Sequence, residues 1–163
     1  MLQTFSKIRT NFKRKENRGF TLVEVIIAIS VIVILLSVIL GSFYSFKKNQ
    51  SVDKTSRNVF SLIEEARVLT LASREEARYG VHFENDSAVL FKNSYVLGNA
   101  GNKVVDVSAP AVISEINLAG GNSVIFDRLI GSTANFGTVV IASVDGTENK
   151  IITIYKSGLA QIE

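Results

Sequence analysis

The 163-residue chain contains no cysteine, which excludes disulfides and thiolate metal sites. Proline occurs once, at Pro110, so no proline kinks or stops the amino-terminal half. Histidine also occurs once, at His82. Without a second imidazole or a thiol nearby, a metal centre or a nucleophilic triad around it has too few members. No internal repeat or low-complexity tract is present. Ionisable groups are missing from one long stretch as well: between Thr21 and Leu40 the only one is Glu24.

That stretch is the first positive feature. About 20 residues suffice to cross a hydrocarbon core of ~30 Å as a helix, and in lipid the backbone must close its own hydrogen bonds. The β-branched run of Val25, Ile26, Ile27, Ile29, Val31, Ile32, Val33 and Ile34 lowers helix propensity in water, but the cost of unsatisfied backbone overrides that preference in a membrane. Ahead of it lie Lys7, Arg9, Lys13, Arg14, Lys15 and Arg18 against Glu16 alone. Beside a span, such a cluster sets topology, with the amino end cytoplasmic and the carboxyl end outside. The formal net charge of +3 is concentrated there; residues 20–163 carry 12 basic and 14 acidic side chains, for a net −2. A nucleic-acid reading of the basic cluster is therefore set aside. An ordinary secretory signal is excluded too, because its cleavage site follows the apolar region, whereas here a Gly precedes it.

The stretch Gly19-Phe20-Thr21-Leu22-Val23-Glu24 resembles the type IV prepilin processing site. The resemblance implies cleavage after Gly19 by a membrane prepilin peptidase, N-methylation of the new amino-terminal Phe20, and a filament-assembly role for Glu24 as the fifth mature residue. A carboxylate inside a span is costly and reads as a functional pairing site, against the simpler reading of a carboxylate snorkelling to the interface.

Beyond the span, Phe43, Tyr44, Phe46, Lys47 and Lys48 are ordered as an interfacial anchor. From residue 52 to 71 the apolar spacing becomes one-sided, with Val52, Val59, Leu62, Ile63, Ala66 and Leu69 at three- and four-residue steps. Asp53, Lys54, Arg57, Glu64 and Arg67 take the other side, with Asp53 and Arg57 as an i, i+4 pair. Arg74, Arg78 and Gly80 mark an expected helix end, so that the helix runs to about Tyr79 with Gly80 as its left-handed cap. The stripe predicts a core beneath a sheet.

The remainder reads as β. Val81-His82-Phe83-Glu84 and Ser87-Ala88-Val89-Leu90-Phe91 flank Asn85-Asp86 as a hairpin, with His82 and Glu84 directed to solvent. Weaker strands are expected at 104–107 and 112–116, then one at 123–126 after Gly120-Gly121-Asn122. The last part is clearest: strands at 137–144, 150–155 and 159–162, separated by Asp145-Gly146 and Ser157-Gly158. Ile152 and Ile154 alternate with Thr153 and Tyr155, as in a sheet with one face covered. The loop Gly98-Asn99-Ala100-Gly101-Asn102-Lys103 lacks the Walker spacing and reads as a surface loop. Glu64, Glu65, Glu75 and Glu76 read as a solvated helix face.

The long helix, the early strand pair, Val124-Ile125-Phe126-Asp127 before a Gly-bearing loop and the final hairpin with Ser157-Gly158 look like the GspH/FimT class of minor pilins and pseudopilins. A DNA-binding subset of that class carries Gly-Arg-x-Arg at the last turn, where this chain has Gly158-Leu159-Ala160-Gln161. The expected fold is α+β, a long amino-terminal helix packed on an antiparallel sheet domain. Its divisions are a cytoplasmic leader at 1–19, a transmembrane and filament-core helix at 20–46, an amphipathic continuation at 47–79 and a β-rich extracytoplasmic domain at 80–163.

The resemblance implies a non-enzymatic, single-pass protein of the bacterial inner membrane without cofactor or metal. Other pilin or pseudopilin subunits, the prepilin peptidase and an inner-membrane assembly platform are the expected partners, and nucleic acid is not. The expected role is in a type II secretion pseudopilus or a related pilus, supporting protein secretion. The alternatives are a ligand-binding minor pilin for DNA uptake or adhesion, and a plain anchored domain that never polymerises.

Overall fold

The computed structural model describes residues 19–163, with the backbone alone at 40–42, 44 and 45; the expected leader, 1–19, lies outside the described residues except for Gly19. The protein is α+β. Its chain divides into two units, Met1–Leu40 and Gly41–Glu163. One helix, α1 (Leu22–Leu71), contributes to both.

In the first unit the described apolar side chains are exposed on every face of the helix, from Leu22 to Ile39. This segment is long and apolar enough to cross a membrane. At 1.5 Å per residue it extends about 27 Å. Its two serines make no demand on their surroundings, since Ser30 Oγ donates to Ile26 O at 2.8 Å and Ser37 Oγ donates to Ile34 O at 2.7 Å.

The second unit holds the rest of α1 and eight strands: β1 (Tyr79–Phe83), β2 (Ser87–Lys92), β3 (Lys103–Asp106), β4 (Ala111–Leu118), β5 (Ser123–Ile125), β6 (Gly137–Ser143), β7 (Asn149–Ile154) and β8 (Ala160–Ile162). They form two antiparallel four-stranded sheets rather than the single sheet expected, in the orders β3-β2-β1-β5 and β4-β6-β7-β8. A bulge between Ile113 and Glu115 interrupts β4, which pairs with β6 on both sides of it. The Gly120-Gly121-Asn122 turn then returns the chain to pair β5 with β1, Gly80 opposite Ile125. The sheets are tied at the β1–β2 turn, where Ile113 N–H donates to Asn85 O at 3.0 Å.

The one-sided stripe of α1 becomes the centre of the core as expected. Val52, Val59, Leu62, Ile63 and Ala66 are buried, and Leu69 packs against them half-covered. Val81, Phe83, Leu90 and Val124 join from the first sheet, and Ile113, Val139, Ile141, Ile152 and Ile154 from the second. Burying a side chain of this size is worth roughly 1.5–3 kcal/mol relative to exposure. The stripe therefore drives the unit together. Polar ties sit around its perimeter. Lys48 Nζ, its side chain 12% exposed, meets Asp145 Oδ2 at 2.9 Å and Thr147 Oγ1 at 2.5 Å. Lys103 Nζ reaches Glu65 at 2.6 Å and Lys92 Nζ reaches Glu75 at 2.5 Å. Lys48 is thus part of the folded unit rather than a free interfacial anchor, and Glu65 and Glu75 are cross-element partners rather than members of a merely solvated face. Asp53 and Arg57 do not form an ion pair.

The end of α1 corrects the sequence expectation. The helix stops at Leu71, not near Tyr79, and Glu75 and Glu76 belong to a short 3-10 turn at Arg74–Glu76. Tertiary bonds outweigh the helix-favouring residues. Thr70 Oγ1 donates to Ala66 O at 2.8 Å and accepts Tyr79 N–H at 3.0 Å, which brings β1 back against the last turn. Ser73, at φ 49°, reverses the chain, and Arg128 Nε donates to its Oγ at 2.6 Å.

Gly80 is a strand residue rather than a cap. A Cβ there would stand 2.5 Å from Val124 O and 2.7 Å from Phe91 Cζ, so glycine is required by close approach of β5 and a ring.

These contacts predict that a fragment beginning at Lys47 folds by itself, and that Gly80→Ala within it costs about 1–3 kcal/mol through overpacking. Thermal unfolding followed by circular dichroism should show a cooperative transition for the fragment and a fall of at least about 4 °C for the variant. An unfolded parent fragment, or an unchanged midpoint in the variant, contradicts the packing described.

Candidate functional site

Gly19, Phe20 and Thr21 precede the helix, and α1 begins at Leu22. Thr21 is its N-cap: Oγ1 accepts Glu24 N–H at 3.2 Å and the Thr21 carbonyl accepts Val25 N–H at 3.2 Å. A helix start leaves its first N–H groups without intrahelical acceptors, and a threonine side chain at this position satisfies one of them. Thr21-x-x-Glu24 has the spacing of a capping box, a local signal already present in the sequence. Acidic Glu24 in the first turn also complements the positive end of the helix dipole.

Glu24 is exposed, and among the described residues its carboxylate has neither a hydrogen-bond nor an ion-pair partner. Its surroundings are Leu22, Val23, Ile26 and Ile27, all exposed apolar side chains. Phe20 is 82% exposed and lies outside the helix, so regular helical spacing does not hold it over Glu24. At Gly19 a Cβ would meet no atom within 4 Å. Nothing in the chain's own packing calls for glycine there.

The other polar candidates fall in the second unit. His82 is more covered than expected, its side chain 18% exposed. The loop after β2 lays Tyr95 over the imidazole with ring centres 3.8 Å apart, and Ser123 Oγ stands 2.8 Å from Nδ1. Nε2 lies 3.6 Å from Glu84 Oε1, which also accepts Tyr95 O–H at 3.0 Å. Burial lowers the His82 pKa and Glu84 partly opposes that shift; burial also raises the Tyr95 pKa, reinforced by Glu84. His82 and Glu84 do lie on the non-core side of β1, but the tyrosine shuts His82 in. Sequence alone placed no aromatic ring there, because Tyr95 arrives from a loop 13 residues later in the chain. Gly98-Asn99-Ala100-Gly101-Asn102 is a surface loop as expected, with Lys103 opening β3. Among the described residues no group of three or more His, Asp or Glu side chains is placed to hold a metal ion.

A family model described as the prokaryotic N-terminal methylation motif matches residues 14–40. No curated protein and no solved structure matches the chain. The class this defines is a type IV pilin-like signal joined to an apolar helix, a structural rather than catalytic motif, and it fits a single-pass, membrane-anchored protein. The match ends at Leu40, where the first unit ends, so the particular role of the second unit rests on that unit's own residues.

The enclosure of His82 has a consequence for stability. With its folded pKa below the unfolded value, the unfolded state binds more protons as pH falls past the ordinary histidine range. The histidine's contribution is therefore present above that range and lost as pH falls through the folded pKa. Thermal midpoints of the detergent-solubilised chain should be lower at about pH 5 than at about pH 7.5, and His82→Gln should reduce that difference. An identical pH dependence in the variant would show that His82 does not carry it.

Proposed function

We propose that this chain is a prepilin, processed after Gly19 and N-methylated at Phe20, that serves as a minor pilin or pseudopilin of the GspH/FimT-like class. It enters a type II secretion pseudopilus or a type IV pilus-like filament through its amino-terminal helix and supports protein secretion. Residues 1–19 act as the leader and 20–46 as the membrane and filament-core helix, with the β-rich part outside the inner membrane. The observation that carries the proposal is the methylation-motif match at 14–40 over a helix whose apolar faces have no cover within the unit. Two solvents can cover such a helix: lipid before assembly, and neighbouring subunits after it.

Glu24 has a defined part in this reading. Cleavage creates a cationic amine at Phe20, and the Glu24 carboxylate is available to neutralise that amine on its own chain or on a neighbour. Because Phe20 is not held in the helix, the pairing forms at assembly rather than being built into the unprocessed chain. Once both charges leave water, removing one partner costs on the order of 3–5 kcal/mol. That decides whether a subunit enters the filament.

Intact-mass measurement of native protein should give a chain beginning at N-methylated Phe20. Gly19→Val should leave the folded unit unchanged and abolish cleavage; a mature protein that still begins at Met1 would overturn the processing assignment. Glu24→Val should insert and be cleaved normally yet lose cysteine crosslinks between introduced sites on this subunit and its neighbours. Undiminished crosslinking with a working filament would reduce Glu24 to a tolerated interfacial acid.

A further inference from the structure

Two turns close over the last part of α1. The loop after β5 is held there by Leu129 N–H, which donates to Thr70 O at 3.3 Å. The β7–β8 turn is seated on that loop: a Cβ at Gly158 would run into Gly131 O and stand 3.2 Å from Arg67 Nε. Together the two turns present three large apolar side chains to solvent. Leu129, Ile130 and Leu159 are each more than half exposed, and none joins the core. Leu129 is held at φ 67°, a conformation that a bulky residue ordinarily avoids.

Arg67 lies against this platform with its bonding incomplete. Its Nε is the one buried side-chain nitrogen or oxygen without a hydrogen-bond partner among the described residues. Its terminal nitrogens make no hydrogen bond or ion pair there either, yet they are not buried, so the guanidinium is enclosed at Nε and open at its fork. Neighbouring acids do not serve it. Glu64, one turn earlier on α1, forms no ion pair, and Asp127 Oδ2 accepts Ser132 Oγ–H at 3.1 Å. The other cations of the two turns are engaged: Arg128 donates to Ser73 Oγ and Glu76 O, and Lys156 Nζ lies 4.6 Å from the centre of the Phe136 ring. A guanidinium drawn partly out of water without an anion is costly. The group its fork fits is a carboxylate, through two N–H bonds side by side.

We propose that this surface docks a segment of another protein in which an acidic side chain is flanked by large apolar ones. The carboxylate takes the Arg67 fork, and its apolar neighbours cover Leu129, Ile130 and Leu159. Charge selects the occupant. An apolar surface alone accepts any apolar partner, whereas an unpaired arginine beside it favours one that brings an anion. An arginine set among apolar side chains is also the composition of the few residues that carry most of the energy in a protein interface. The inference concerns the second unit and stands whether or not the first enters a filament.

The test uses the full chain in phosphatidylcholine nanodiscs. Random dodecapeptides displayed on phage are selected on the parent and counterselected on Ile130→Ser, a change at an exposed side chain. Enriched peptides should carry Asp or Glu within three residues of Leu, Ile or Phe. A synthetic representative, followed by fluorescence anisotropy, should lose roughly tenfold or more in affinity when its acid is replaced by the amide, the worth of a hydrogen bond to a charged group. On Arg67→Gln the same replacement should cost nothing further. This cycle separates pairing from any change in folding, because each comparison is made within one variant. No enrichment over the counterselection, enriched peptides without an acid, or an equal loss on the parent and on Arg67→Gln would overturn the proposal. Displacement of the peptide by phosphatidylglycerol liposomes would assign the patch to a lipid surface, and selected sequences that reproduce a segment of this chain would assign it to a second copy; either would overturn the choice of another protein.

Discussion

One helix must satisfy two different surroundings. Along Leu22–Ile39 its apolar side chains point in all directions, while from Val52 onward, Val68 apart, they gather on one side that is buried or partly buried. Apolar area left in water is costly in proportion to its extent, so the first segment requires cover from outside the chain, whereas the second can be covered from within. The methylation-motif match coincides with the first segment and ends where the stripe has yet to begin. The division between the two units is therefore a division between two kinds of cover.

Within the second unit the stripe sets the job of the strands. Two sheets supply inner faces to a common core, and the ion pairs Lys48–Asp145, Lys103–Glu65 and Lys92–Glu75 tie strands, turns and helix at the rim. Asp145 is held well below the usual carboxylate range by hydrogen bonds from Ser143, Lys48 and Thr147. Exposed pairs of this kind add little stability individually. Their value lies in registering the β6–β7 turn and the β2–β3 loop on the helix. The loop held in this way shelters His82 through Tyr95.

The features read correctly from the sequence are those with strong periodicity. The stripe at Val59, Leu62, Ile63 and Ala66, the hairpin around Asn85-Asp86, and the alternation of Ile152 and Ile154 each follow from one local pattern. The Thr21–Glu24 cap was equally legible, because its spacing is local, yet it was overshadowed by the charge of Glu24. The failures are tertiary. Nothing near Leu71 signals a stop; the helix ends there because Thr70 accepts a bond from Tyr79 and Arg128 reaches Ser73 from more than fifty residues away. Gly80 looked like a cap because its real constraint, the approach of Val124 and Phe91, comes from two other strands. The division into two sheets comes from which strands pair across the chain, β5 with β1 and β6 with β4, and no local pattern announces those partners.

The absence of cysteine makes the central claim directly measurable, since every introduced thiol is the only one in the chain. Single cysteines placed in turn at positions 25–39 and 50–66 can be treated, in intact membranes, with a membrane-impermeant maleimide. The account predicts uniform protection through 25–39, because every face of that segment is covered from outside the chain. Through 50–66 it predicts protection with helical periodicity, centred on positions 52, 59, 62, 63 and 66, and ready labelling at 53, 54 and 57. Periodic labelling within 25–39, or uniform labelling across 50–66, would contradict it.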